Sequence, residues 1–178
     1  SCGENFVQKI LLYVSKTPVI IMSFLLMDLL WVPFGLVQQA IGGQLLDLLS
    51  TSEAGLARLA ELSPEQKTIH IWCSILIDTL YPLATAAFIA GLSWRLAGPW
   101  PQARRWGSLI FGLAAGLILS DLAENTMHVI ALNGQASALS WKDILTPLKL
   151  VAYGASSLLL IGIVVVAMAR RIKAKRRN

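Results

Sequence analysis

Residues 106–132 read WGSLIFGLAAGLILSDLAENTMHVIAL. The stretch exceeds the roughly 20 residues that cross a hydrocarbon core of about 30 Å. Up to Leu119 it carries no charge, and then Asp121, Glu124 and His128 follow within two turns. Their i, i+3, i+7 spacing puts all three on one face of a helix, with Asn125 beside them. Ionisable side chains at such depth cost about 2.5–3.5 kcal/mol each on insertion scales, so they turn away from lipid and pair. The segment predicts a membrane helix with a polar face turned inward.

Three further apolar runs of membrane-spanning length occupy 18–40, 69–93 and 145–169. The chain is 56% hydrophobic and 14% charged, with a mean hydropathy of +0.65. That composition excludes an ordinary soluble domain and predicts an all-α fold, an integral membrane four-helix bundle in one domain. Thr17-Pro18 suits the opening of the first span, and Pro33 predicts a kink within it. The stretch 4–16 is mildly amphipathic and is expected at the membrane interface. In the connection 42–68, leucines alternate with charged and small residues, which predicts a short amphipathic helical element in the first outer loop. It is read as lying on the membrane surface in preference to closing as a lid, with Ser63 as a helix cap and Pro64 in first position. Trp94, Trp100 and Trp106 predict an interfacial belt, Trp141 marks the opposite interface, and Gly112 and Gly116 suggest close helix packing.

The formal charge of +5 follows membrane topology. Lys9 and Lys16 precede the first span, Arg95, Arg104 and Arg105 separate the second from the third, and a basic tail follows the fourth over 170–178. The other two connections carry Asp47, Glu53, Glu61 and Glu65 against Arg58 and Lys67, and Lys142 with Asp143. The positive-inside rule then gives an N-in/C-in arrangement with both termini cytoplasmic, in a plasma or inner membrane. Basic residues in these places anchor headgroups, so the partner is the lipid bilayer and no nucleic acid is expected. Cys2 and Cys73 are too few for a disulfide framework, and lipidation of Cys2 is not favoured.

With about 1.5 Å of rise per residue, the charges of the spans fall in one half of the membrane. Asp28 and Asp121 lie near the midplane, and Asp78, Glu124, Lys149 and His128 lie on its outer side. Lys149 is the natural partner of Glu124. Asp28, Asp78, Asp121 and Glu124 against a single lysine leave acid in excess, so either some of these acids keep a proton or a cation sits among them. Asp121, Glu124 and Asp78 are therefore the candidate catalytic residues, and Lys149, Asn125, Tyr81 and Asp28 the candidate substrate contacts. A divalent metal on His128, Glu124, Asp121 and Asp78 is one form that the cation could take, since carboxylate and imidazole suit zinc, iron or manganese. Haem held between His70 and His128 ranks lower.

No phosphate-binding glycine loop, nucleophile elbow or Cys-x-x-Cys pair is present, which argues against an ATP-driven function. The leading expectation is a protein that binds or chemically transforms an amphiphilic, lipid-like ligand by handling a proton or cation. A proton- or cation-coupled carrier built as a homo-oligomer, and a non-catalytic subunit of a larger membrane complex, are the alternatives.

Overall fold

The computed structural model describes residues 2–176, and within them all side chains except those of residues 2–5 and 104. The thiol of Cys2, the guanidinium of Arg104 and Arg177 thus lie outside the described residues. In chain order the helices are α1 (Cys2–Val14), α2 (Thr17–Leu29), α3 (Trp31–Ala40), α4 (Ser52–Glu61), α5 (Pro64–Trp72), α6 (Asp78–Ala97), α7 (Ala103–Leu132) and α8 (Lys142–Lys175). Short 3₁₀ turns cover Leu46–Leu48 and Ala136–Trp141, and a wide π turn, Cys73–Ile77, joins α5 to α6. Among the described residues there is no strand. Four stretches, Thr17–Ala40, Pro64–Ala97, Arg105–Leu132 and Ala136–Lys175, are helical, long and apolar enough to cross a membrane.

Local chemistry explains the ends. Ser63 Oγ accepts from Gln66 N while Gln66 Oε1 accepts from Ser63 N, a capping box with Pro64 in the first turn. The second span thus begins in polar sequence, before its apolar run. The first span is interrupted at Leu30, close to where Pro33 withholds an N–H from the preceding turn. α3 stops at Gly42, whose φ of 68° lies in the left-handed region that glycine tolerates, and the Gly43 amide reaches back to Gln38 O at 3.0 Å.

Two apolar clusters hold the helices together. One joins Leu11 of α1 to Ala90 and Trp94 of α6, Ile110 and Leu117 of α7 and Ile163 of α8. The other gathers Phe34, Leu45, Leu46, Leu59, Leu62 and Leu139 at the opposite end. The connection between the first two spans is therefore a packed cap, not the surface-lying strip expected from sequence, because its leucines close over the helix ends. Arg58 fixes it from below, its Nη2 donating to Ile41 O at 2.7 Å and its Nε to Gln44 O at 3.2 Å.

Other expectations change as well. α1 buries Leu11 against α6 and α7 instead of only lying at an interface. Trp94 and Trp100 are buried, and Arg170 lies 4.6 Å above the Trp100 ring, so this group serves as core and helix clasp more than as a belt. Gly112 and Gly116 have open space where a Cβ would stand, so they make no close helix contact here. Gly91 does: a Cβ there would strike the backbone carbonyl of Val14. Gly91→Ala should push α1 from α6 and lower stability by about 1–3 kcal/mol, read from thermal unfolding in detergent.

Candidate polar site

Between the two apolar clusters lies a layer of buried polar side chains, and backbone features of α6 place its first member. Pro82 has no N–H to offer Asp78 O, four residues earlier, and Asn125 Nδ2 of α7 takes that role at 3.3 Å. The π turn just before Asp78 is the kind of helix widening that re-aims side chains at functional positions. Asp78 is buried, and among the described residues its carboxylate has no hydrogen bond or ion pair.

The face predicted for α7 is the face that is buried: Asp121, Glu124, Asn125 and His128 are each less than 5% exposed. Glu124 is the hub. Its Oε1 accepts from Lys142 Nζ at 2.6 Å and from Thr146 Oγ1, and its Oε2 stands 2.5 Å from Lys149 Nζ. Lys149 Nζ also pairs with Asp47 and lies 3.4 Å from Asp121 Oδ1. His128 Nε2 sits 3.4 Å from Lys142 Nζ and 3.8 Å from Glu124 Oε1. Among the described residues, Asp121 Oδ2 and Asn125 Oδ1 are buried without a hydrogen-bond partner.

Three residues of this layer are not singled out by the sequence reading. Lys142 looks like a loop charge beside Asp143, yet it is 1% exposed and bonded to Glu124. Asp143 instead points out and holds the start of α4 through Ser52 N at 2.7 Å and Ser52 Oγ at 2.5 Å. Thr146 completes an i, i+4, i+7 face with Lys142 and Lys149, the spacing that would have revealed it. Asp47 comes from the 3₁₀ turn of the cap, where no helical period exists to signal it.

Asp28 is the opposite case. It was expected in the site, but it is exposed on α2 among Leu25, Leu26 and Leu29, because a helix apolar on nearly every side does not reveal which face turns inward. The charge inventory changes with these findings: Asp47, Asp78, Asp121 and Glu124 stand against Lys142 and Lys149. Acid still exceeds base by two formal charges when all are ionised; among the described residues Asp121 Oδ2 is buried without a hydrogen bond, and the Asp78 carboxylate, which lines the cleft, makes no hydrogen bond or ion pair.

A cleft of about 310 Å³ opens onto this layer. Asp78, Asp121, Thr146, Lys149 and Tyr153 line its polar wall, and Leu48, Leu49 and Leu150 its apolar rim. Leu150 is exposed on the outer side of α8, so the cleft reaches the surface that lipid would cover. A smaller pocket of about 50 Å³ lies on the other side of Asp78 and Tyr81, towards α3. Tyr81 lines both.

Neither metal expectation finds its geometry. Among the described residues no group of three or more His, Cys, Asp or Glu side chains stands in an arrangement that could hold a metal ion. Glu124 turns both oxygens to lysines, and the Nε2 of His128 faces an ammonium, so Asp78 and Asp121 are left without the other two proposed ligands. For haem, His70 Nε2 already accepts the Leu46 amide at 3.0 Å, and neither histidine lines the two clefts. His70 is thus a clasp for the cap that carries Asp47. His70→Leu should leave the buried Leu46 N–H unsatisfied and cost about 1–3 kcal/mol, measured by thermal unfolding.

Comparisons with protein-family models, with curated proteins and with solved structures give no significant match.

Proposed function

We propose that the chain forms a four-helix membrane bundle with both termini cytoplasmic, in a plasma or inner membrane, and that its polar layer binds or chemically transforms the headgroup of an amphiphile. The observation that carries this reading is the cleft over Asp78 and Asp121. It joins unpartnered buried carboxylates to a leucine rim on the lipid-covered side, so a headgroup can reach the acids while its chain stays in the bilayer. In this reading Asp78 and Asp121 handle a proton or cation. Glu124, Lys142, Thr146 and His128 hold the layer in place, and Lys149 links it to Asp47 of the cap. Tyr81, Tyr153 and Asn125 are the neutral hydrogen-bonding groups around the ligand.

Native mass spectrometry of detergent-purified protein, wild type beside Asp121→Asn in matched lipid, tests the proposal. A lipid-like molecule retained by the wild type and lost from a folded variant supports it. An empty wild type overturns it.

A specific observation favours a second reading, membership of a larger membrane complex. Asp28 presents a carboxylate near the middle of the first span on an exposed apolar face, which suits a basic or hydrogen-bonding side chain from a partner helix. Under that reading Asp28→Leu releases a co-purifying subunit while ligand retention is unchanged. No released subunit with Asp28→Leu would rule the partner out.

A further inference from the structure

The pocket towards α3 has a composition that the amphiphile reading does not by itself require. Trp31, Phe34 and Tyr81 form three of its walls, with ring centroids 6.1 Å apart for Trp31 and Phe34, 5.8 Å for Trp31 and Tyr81, and 6.0 Å for Phe34 and Tyr81. Their planes are tilted or close to perpendicular, at 55°, 76° and 77°. The rings therefore do not stack flat on one another, and all three border the pocket. Asp47 and Asp78 close the pocket from the polar side.

Aromatic faces carry negative quadrupole density, and a box of them with a carboxylate nearby is the arrangement that receives an organic ammonium group. A metal ion would want oxygen or nitrogen ligands in place of rings. A neutral apolar group would want no carboxylate, least of all Asp78, which is 5% exposed and has no protein partner among the described residues. The volume of about 50 Å³ exceeds what a single water needs, roughly 10–15 Å³, and suits a small methylated or primary ammonium group. The excess of acid over base in the polar layer favours the same positive guest.

We infer that this aromatic pocket, formed by Trp31, Phe34 and Tyr81 with Asp47 and Asp78, binds the organic ammonium group of the ligand. The inference rests on the amphiphile reading and deepens it by naming the headgroup class. The ammonium sits in the pocket beside α3 while the adjoining cleft, on the far side of Tyr81 and Asp78, takes the remainder of the headgroup. Trp31 is half exposed and closes the lipid side of the box, so it can be changed without opening the core.

The test uses the full chain in maltoside micelles, with choline and its neutral carbon isostere 3,3-dimethylbutan-1-ol as probes, and reads binding from the ligand-dependent shift of the unfolding temperature. Choline should bind about tenfold or more tightly than the isostere, and Trp31→Leu should remove that preference while Trp31→Phe keeps part of it. Equal binding of the two probes, or a preference that survives Trp31→Leu in a folded protein, overturns the inference. Binding of neither probe also overturns it. The amphiphile reading is judged separately: a lipid-like molecule without an ammonium group in native mass spectrometry would retain that reading and end this one.

Discussion

Glu124→Leu is expected to lower the stability of the protein by about 3–5 kcal/mol, the largest single-site loss that the structure predicts. The side chain is fully buried and touches both buried lysines. Without it Lys142, itself 1% exposed, retains among the described residues only the His128 ring nitrogen at 3.4 Å. An ammonium in that position is almost uncompensated, and the cost of leaving a buried charge unpaired exceeds the worth of the pair that was lost. Thermal unfolding in one detergent should show the drop. Adding Lys142→Met to Glu124→Leu should recover much of it, since a buried pair replaced on both sides by apolar groups is often near neutral. A single variant as stable as the wild type would show that Glu124 is not the keystone.

Asp78→Asn should act in the opposite direction on stability while abolishing ligand retention. The carboxylate is buried and makes no hydrogen bond or ion pair among the described residues, so replacing it with a neutral amide removes a buried charge that no direct contact offsets. Burying an unsatisfied polar group costs about 1–3 kcal/mol and more for a charged one, so the variant should unfold at the same temperature as the wild type or higher. In native mass spectrometry it should nevertheless have lost the bound molecule. Such a trade of stability against function is the usual mark of a group kept for binding or chemistry. Destabilisation comparable to Glu124→Leu would instead make Asp78 a structural residue.

The contrast between these two acids explains how much of the molecule could be read from sequence. The spans were legible because about 20 apolar residues have few other uses. The α7 face was legible because Asp121, Glu124 and His128 interrupt an otherwise uncharged run at helical spacing. Their depth correctly brought Asp78 and Lys149 to them. Asp28 failed the same reasoning, since depth alone says nothing about direction around a helix that is apolar on nearly every side. Lys142 failed for the converse reason: its neighbour Asp143 is exposed, and the pair looks like loop charge until the i, i+4, i+7 relation to Thr146 and Lys149 is noticed. Asp47 depends on the folding of the cap over the spans, which no local period encodes. What sequence left open was also which acids are engaged and which are free, because that is decided by side-chain partners in three dimensions.

The π turn at Cys73–Ile77 has a consequence for the angular phase of the second span. Eight residues separate His70 from Asp78, and in an unbroken α-helix they would point about 80° apart. A π turn absorbs about one residue, so the two act as if seven apart and their directions differ by only about 20°. One strip of helix can thus carry both the clasp for the cap and the free carboxylate below it. Winding the same residues into ordinary α-helix would rotate the two parts of the helix out of alignment, whereas removing one residue from the turn would close it to ordinary α-helix and keep them aligned. The widening of a single turn keeps the polar layer and its roof in line.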